Sequence, residues 1–266
     1  MDKVKVKRFF LERKRNINLI YEMVKRNIKN TYRESVLGII WTVLNPLLSM
    51  AVIAFVYSNL FGNNMTDIKY PVYVLSGIIV YTTFFRSGTQ MGLISIESNR
   101  SLVLQTKIPI SAYPRVAVYT GMVNFIFSFI AMLIVMAFVH QPFKWTLLLT
   151  PFLILGLLLL TMGISYILAV LYVSFRDIKN IYGVLTQLLM YLTPIFYTID
   201  RLNNETVSRL LTYNPMYYYV DYLRLLISGE LPTIKYNFIV FGLGVFIYAL
   251  GYLLLNLKRD KIILKV

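Results

Sequence analysis

Polar and apolar positions along this chain sort into two regimes, and the change from one to the other falls between Lys25 and Pro46. Before it, Ile20, Val24, Ile28 and Tyr32 recur at helical spacing while Lys25, Arg26, Lys29 and Arg33 fall between them. That pattern predicts an amphipathic helix lying on a bilayer surface with its cationic face outward. From Gly38 to Thr66 no charged residue occurs, so the chain passes from lying on a bilayer to crossing one. Five more apolar runs follow, and the six predicted spans cover about 39–61, 70–96, 116–139, 147–175, 181–199 and 238–257. Each is close to the ~20 residues that cross a ~30 Å hydrocarbon core.

Interruptions in these runs carry further information. Arg86 sits two thirds of the way through the second span, where it either snorkels, packs at a helix interface or meets a substrate. Gly156 and Gly163 in the fourth span permit close helix contact or a bend. Pro194, in TPIFY, predicts a kinked or broken outer end to the fifth. Between the fifth and sixth spans, NPMYYYVDYLRLLISGELP is too apolar for open water. It predicts one or two short helices dipping into the outer leaflet with their ends packed on protein or lining a wet cavity.

Composition supports a polytopic membrane protein: 58% of the 266 residues are hydrophobic and 15% charged. The net charge of +15 gathers at the edges of the apolar runs and forms no continuous basic face, which favours anionic lipid over nucleic acid. With both termini in the cytoplasm, 21 of the 27 Lys and Arg residues fall inside and six outside, as the positive-inside rule requires. The charged stretch before the first apolar run is unlike a cleaved signal peptide, so that run is a retained span. One domain, 1–266, accounts for the whole: a cytoplasmic region to residue 34, a six-span core over 35–257 and a basic tail.

The absences narrow the chemistry. Without cysteine there is neither a disulfide framework nor a thiolate metal site, and no metal site is expected. The one histidine, His140, falls in a short loop at a membrane edge. There is no phosphate-binding loop of the Walker type, no HExxH and no nucleophile elbow. The twelve acidic residues sit almost wholly at membrane edges, which disfavours ion-driven transport. Aromatic surface is abundant, with 21 Tyr, 17 Phe and two Trp. Part of it forms an interfacial belt. The rest, with Trp41, Tyr81, Phe84, Phe85, Tyr191, Phe196 and Tyr197 as candidates, offers flat faces to a sugar polymer that must slide.

The stretch RNIKNTYRESVLGIIWTVLNPL resembles the N-terminal signature of bacterial ABC-2 type permeases that export polysaccharide. YPVYVLSGIIVYTTF, NRSLVLQTKIPISAYP, VSFRDIKNI, TPIFY and YNPMYYYVDYLR extend the resemblance across most of the chain in the same order. It is closest to O-antigen and capsular polysaccharide permeases, with teichoic acid permeases near. The resemblance implies a half-transporter of the bacterial inner membrane: two copies form the channel, and two copies of a cytoplasmic ATPase bind ATP and Mg and drive it. No cofactor is expected in this chain. It further implies an interfacial helix over about 18–32 with Lys25, Arg26, Lys29, Tyr32 and Arg33. ATPase coupling falls to Glu97, Asn99, Arg100, Leu102, Leu104 and Lys107 and to Arg176 and Asp177. Periplasmic gate helices fall within 200–232, where Asn214, Pro215, Tyr217, Tyr218, Tyr219, Tyr222 and Arg224 lie. The alternatives are a drug or lipid exporter of the same class, or a polytopic enzyme acting on lipid-linked sugars through Asp177, Asp221 or Glu97.

Overall fold

The computed structural model describes residues 17–30, 40, 41, 44, 48, 52, 67–106, 108–199 and 205–265. Most of the predicted first span, together with Tyr32, Arg33 and Lys107, lies outside the described residues. Among the described residues the chain is helical and contains no β-strand.

Helix α1 spans residues 17–30, and its sidedness follows the alternation in the sequence. Met23 is buried, Ile20 and Val24 pack on the core, and Lys25, Arg26 and Lys29 are exposed. α1 marks what we term the proximal end of the bundle. α2 (Tyr70–Ile78), a π-helical segment (Ile79–Arg86) and α3 (Ser87–Ile94) run on without a break, as expected for the second span. A 3₁₀ turn (Glu97–Asn99) and α4 (Arg100–Gln105) follow at the proximal end. α5 (Ala112–Phe138) returns to the distal end, and a 3₁₀ turn (Trp145–Leu149) opens α6 (Thr150–Ser174). α7 (Ile178–Tyr191), α8 (Glu205–Thr212), α9 (Pro215–Ser228), α10 (Ile234–Leu257) and α11 (Arg259–Lys265) complete the chain.

Among the described residues, three helices are long and apolar enough to cross a membrane: Ala112–Phe138, Trp145–Ser174 and Ile234–Leu257. Their outward faces carry Phe138, Leu148, Ile234 and Phe238, each about four-fifths exposed or more, as suits hydrocarbon surroundings. The distal turns are tied together by polar side chains. Gln141 accepts from the Lys69 amide at 2.9 Å, and the Lys69 ammonium donates to the Val139 carbonyl. His140 lies in this turn, with a positive φ of 55°.

Glycine sets how closely α6 and α10 approach. A Cβ on Gly163 would stand 2.5 Å from the carbonyl of Ile247 and the amide of Tyr248, and Gly251 meets Gly163 in return. Without hydrophobic drive between helices in lipid, such backbone contact supplies much of the association. Because the obstructing atoms are backbone, they cannot rotate away. We therefore expect Gly163→Val to lower the thermal unfolding midpoint of the purified protein by the equivalent of about 3 kcal/mol or more. Gly183→Ala, where no atom lies within 4 Å, should leave that midpoint unchanged or slightly raised.

Candidate functional site

The fifth apolar run does not stay helical to its predicted end. α7 stops at Tyr191, and residues 192–198 are irregular, because a residue before proline avoids the helical region and Pro194 has no N–H to continue the ladder. An unwound segment among apolar helices leaves carbonyls that lipid cannot satisfy. From Tyr191 to Tyr197 each finds a donor. Tyr191 O accepts from the Tyr197 hydroxyl at 3.0 Å, and Leu192 O from Asn214 Nδ2 at 3.2 Å. Thr193 O accepts from the Ile195 amide at 2.7 Å. Pro194 O and Ile195 O accept from the Arg224 guanidinium at 2.8 and 3.2 Å. Phe196 O and Tyr197 O accept from the hydroxyls of Tyr70 and Tyr73 at 3.2 and 2.8 Å.

Arg224 is the centre of this arrangement. It is 5% exposed on α9, donates also to Tyr73 O at 3.3 Å and Ser76 Oγ at 3.4 Å, and places its guanidinium carbon 3.5 Å from the centroid of the Tyr73 ring. Its planar fork of five N–H donors suits several carbonyls at once, where a lysine offers one point charge. Burial pushes its pKa below the usual arginine range, opposed by Tyr73, Asp221 and Tyr217. The charge is thus held by carbonyl dipoles and an aromatic face.

The helix carrying Arg224 is positioned by its own ends. Asn214 caps α9 by accepting from the Met216 amide at 2.9 Å, Pro215 fills the first turn, and Gly229 closes the helix with φ 97°. Tyr219 and Tyr222 are buried and donate to Val240 O at 2.7 Å and Asn237 Oδ1 at 2.9 Å, pinning α9 to α10. Tyr217 and Tyr218 are half-buried; the Tyr218 ring packs on Tyr217 and Tyr236, and Tyr236 donates to Asp221 Oδ2 at 2.7 Å. Of the one or two short helices expected over residues 214–232, the structure shows one, α9, and α8 precedes that stretch. Sequence reasoning missed Tyr70, Tyr73 and Ser76, whose i, i+3, i+6 spacing on α2 is the signal that they share a face.

The aromatic residues singled out for a channel separate into two groups. Tyr81, Phe84 and Phe85 are 0, 1 and 3% exposed inside the chain. Tyr81 donates to Thr186 O at 2.5 Å, and Phe84 meets Phe125 edge-on. Tyr191 is exposed, Phe196 and Tyr197 are half-buried, and so is Trp41. Tyr191 shares α7 with Ile181, Val184, Leu185 and Leu188, all more than half exposed, so none of the described residues covers that face.

At the proximal end, Arg176 Nη2 bonds Glu97 Oε1 at 3.1 Å, joining the α6–α7 turn to the 3₁₀ turn before α4. Arg26 Nη2 bonds Asn99 Oδ1 at 3.1 Å, joining α1 to the same turn. Leu102 packs on the core, Leu104 is 57% exposed, and Arg100 and Asp177 are exposed. α4 is therefore a short amphipathic element with an apolar tip outward.

Comparison with known proteins shows the family. The family model described as ABC-2 type transporter matches residues 18–227. The chain is 32% identical over 200 residues to "O-antigen export system permease protein RfbA" of Myxococcus xanthus, covering 74% of this chain and 75% of that protein. It is 26% identical over 244 residues to a protein of the same name from Klebsiella pneumoniae, covering 90% and 91%. It is 23% identical over 201 residues to "Polysialic acid transport protein KpsM" of Escherichia coli, covering 75% and 77%.

Arg224→Met keeps side-chain length and removes every donor, so the carbonyls of Pro194 and Ile195 lose their partners at about 1–3 kcal/mol each. Hydrogen–deuterium exchange across the segment after α7 should rise by more than about tenfold while α6 and α10 keep their protection. Arg224→Lys should fall between the two, because one ammonium cannot reach all four oxygens.

Proposed function

Since the chain belongs to the ABC-2 type transporter family, we propose that it is the membrane-spanning permease subunit of an ATP-driven exporter of lipid-linked polysaccharide. The observation that carries this reading is the breadth of the match to O-antigen export permeases, which extends over nine tenths of the chain in one case. The substrate is a glycan of the O-antigen, capsular or teichoic acid type, and the membrane is the bacterial inner membrane. Six spans, with both termini in the cytoplasm, form a single domain over residues 1–266, so the proximal end of the bundle is cytoplasmic and the distal end periplasmic.

The subunit works as a homodimer with two copies of a cytoplasmic ATPase, which bind ATP and Mg; this chain holds no cofactor and carries out no hydrolysis. The uncovered face of α7, with Tyr191 beside Phe196 and Tyr197, supports a polymer path between two protomers. Trp41 completes that path from the first span. The rings of Tyr81, Phe84 and Phe85 stand behind it, and Tyr81 fixes α7 through Thr186. α8 and α9, with Asn214, Pro215, Tyr217, Tyr218, Tyr219, Tyr222 and Arg224, form a periplasmic gate whose hinge is the unwound segment.

Coupling to the ATPase falls to Glu97, Asn99, Arg100, Leu102, Leu104 and Lys107 and to Arg176 and Asp177. The ion pair between Arg176 and Glu97 supports this, since it makes the two proximal turns one surface. α1, with Lys25, Arg26, Lys29, Tyr32 and Arg33, lies at the inner headgroups and is linked to that surface through Arg26 and Asn99.

The reading is tested by purifying the tagged chain from its native membrane in mild detergent and identifying stoichiometric companions by mass spectrometry. An ATPase of the Walker type at equal stoichiometry supports it, and recovery of this chain alone overturns it. Leu104→Glu should leave the chain folded yet cut ATPase recovery by about tenfold or more, because a charge replaces the exposed apolar tip of α4.

A further inference from the structure

α1 leaves a space where it meets the bundle. Between its second half, the end of α3, the turn that follows and the start of α5 lies a cavity of about 310 Å³. Its lining is sorted by depth. At the proximal rim stand Arg26 and Asn30 of α1 with Ser95, Ser98 and Asn99, and beneath them Met91, Ile94, Val116 and Ala117. The order holds on both helices of the wall although they run in opposite directions. On α3, Met91 precedes Ser95 by four residues, about 6 Å at the helical rise, while on α5 Val116 and Ala117 follow Tyr113 by three and four. A space that is polar toward the proximal end and apolar toward the hydrocarbon matches a lipid at the level where headgroup meets chains. A soluble anion needs only the rim.

That rim holds its cation in a fixed place. Asn99 Nδ2 donates to Ser95 O at 2.8 Å and to Ser98 Oγ at 3.3 Å, which aims the carboxamide oxygen at Arg26, whose Nη2 donates to it at 3.1 Å. The acceptor is neutral, so the guanidinium is positioned without losing its charge. Of its five N–H donors one goes to Asn99, and the planar fork suits the oxygens of a phosphate. Lys25 and Lys29 flank it on α1 against the single carboxylate of Glu22, a balance that draws anionic lipid to this helix. Asn30 and Ser98 are exposed at the mouth and offer hydrogen bonds to headgroup hydroxyls. The volume lies at the small end of ligand sites, room for a headgroup and its phosphate with the acyl chains left to the bilayer.

We propose that the cavity beneath α1 binds one anionic glycerophospholipid of the inner leaflet: its phosphodiester on Arg26, its hydroxylated headgroup at Asn30 and Ser98, and its acyl chains leaving past Met91 and Val116. Phosphatidylglycerol has that chemistry. The lipid is a fixed part of the seat of α1 and is distinct from the transported substrate. It joins α1 to the start of α5 as Arg26 and Asn99 join it to the coupling turn, so anionic lipid sets how firmly α1 follows that turn. This rests on the reading of the proximal end as the cytoplasmic one, with α1 at the inner headgroups.

The test takes the tagged chain with its companions from the native membrane into mild detergent and reads retention of added phosphatidylglycerol by native mass spectrometry. Wild type should keep one lipid to a protomer, in preference to phosphatidylethanolamine at equal concentration. Arg26→Gln and Ser98→Asp should each retain about tenfold less or weaker. The first removes the cation; the second leaves it and sets a carboxylate in the rim, and both positions are exposed, so neither change strikes the core. Lys29→Gln removes the same charge from the same helix outside the cavity lining and should stay close to wild type. Equal retention by wild type, Arg26→Gln and Ser98→Asp overturns the site. A loss in Lys29→Gln as large as in Arg26→Gln overturns it too, because surface charge alone then accounts for binding, and so does phosphatidylethanolamine competing equally. An isoprenyl diphosphate that displaces phosphatidylglycerol at equal concentration also overturns it, by reassigning the cavity to the transported substrate. The same spectra record whether an ATPase accompanies the chain, so its absence marks failure of the transport reading and not of the lipid site.

Discussion

In a hydrocarbon environment a carbonyl without a donor is the most expensive thing a backbone can present, and the distal half of this molecule is arranged around that constraint. Seven consecutive carbonyls, Tyr191 to Tyr197, lie where α7 has given way to irregular chain. Their donors come from α2, from the cap of α9, from Arg224 and from the segment itself. The segment therefore owes its conformation to helices remote from it in sequence. Displacing α9 withdraws the Arg224 and Asn214 donors at once, which makes α9 and the segment a single mechanical unit.

The rest of the bundle divides into a locked part and an open part. Glycines on α6 and α10 bring two backbones into contact, and Gly92 meets Ser165 where α3 crosses α6, so these helices have no room to slide. α7 is different. Of its side chains only Thr186 is buried, its apolar residues face outward, and among the described residues it touches the others chiefly through Tyr81 and the cavity it shares with α3.

Much of this was legible in the sequence, for definite reasons. Long apolar runs without charge gave α5, α6 and α10, because in such a solvent length and composition decide the element. The spacing of Ile20, Val24 and Ile28 against Lys25, Arg26 and Lys29 gave α1, and Pro194 gave the end of α7. The π-helical turn at Ile79–Arg86 was not legible, since no residue in IVYTTFFR signals a widened helix. Nor was the fate of individual aromatic rings: Tyr81 and Tyr191 look alike in sequence, yet one is enclosed and the other bare. The side a ring faces depends on the rotation of its helix, which packing sets. Arg224 was named only through the family resemblance, and the carbonyls it serves are some thirty and some hundred and fifty residues away.

The partners of Arg224 on the unwound segment are main-chain oxygens, and every residue type has one. The grip is accordingly indifferent to side-chain identity at Ile195 and its neighbours as long as the backbone keeps its path. Substitution at the half-buried Phe196 can thus change the size or polarity of the segment's surface without loosening the hold, whereas Thr193, Pro194 and Ile195 are buried. The arginine has no such freedom. A substitution that keeps the backbone path therefore keeps the arginine's hold, and one that moves the path loses several partners of the same hand together.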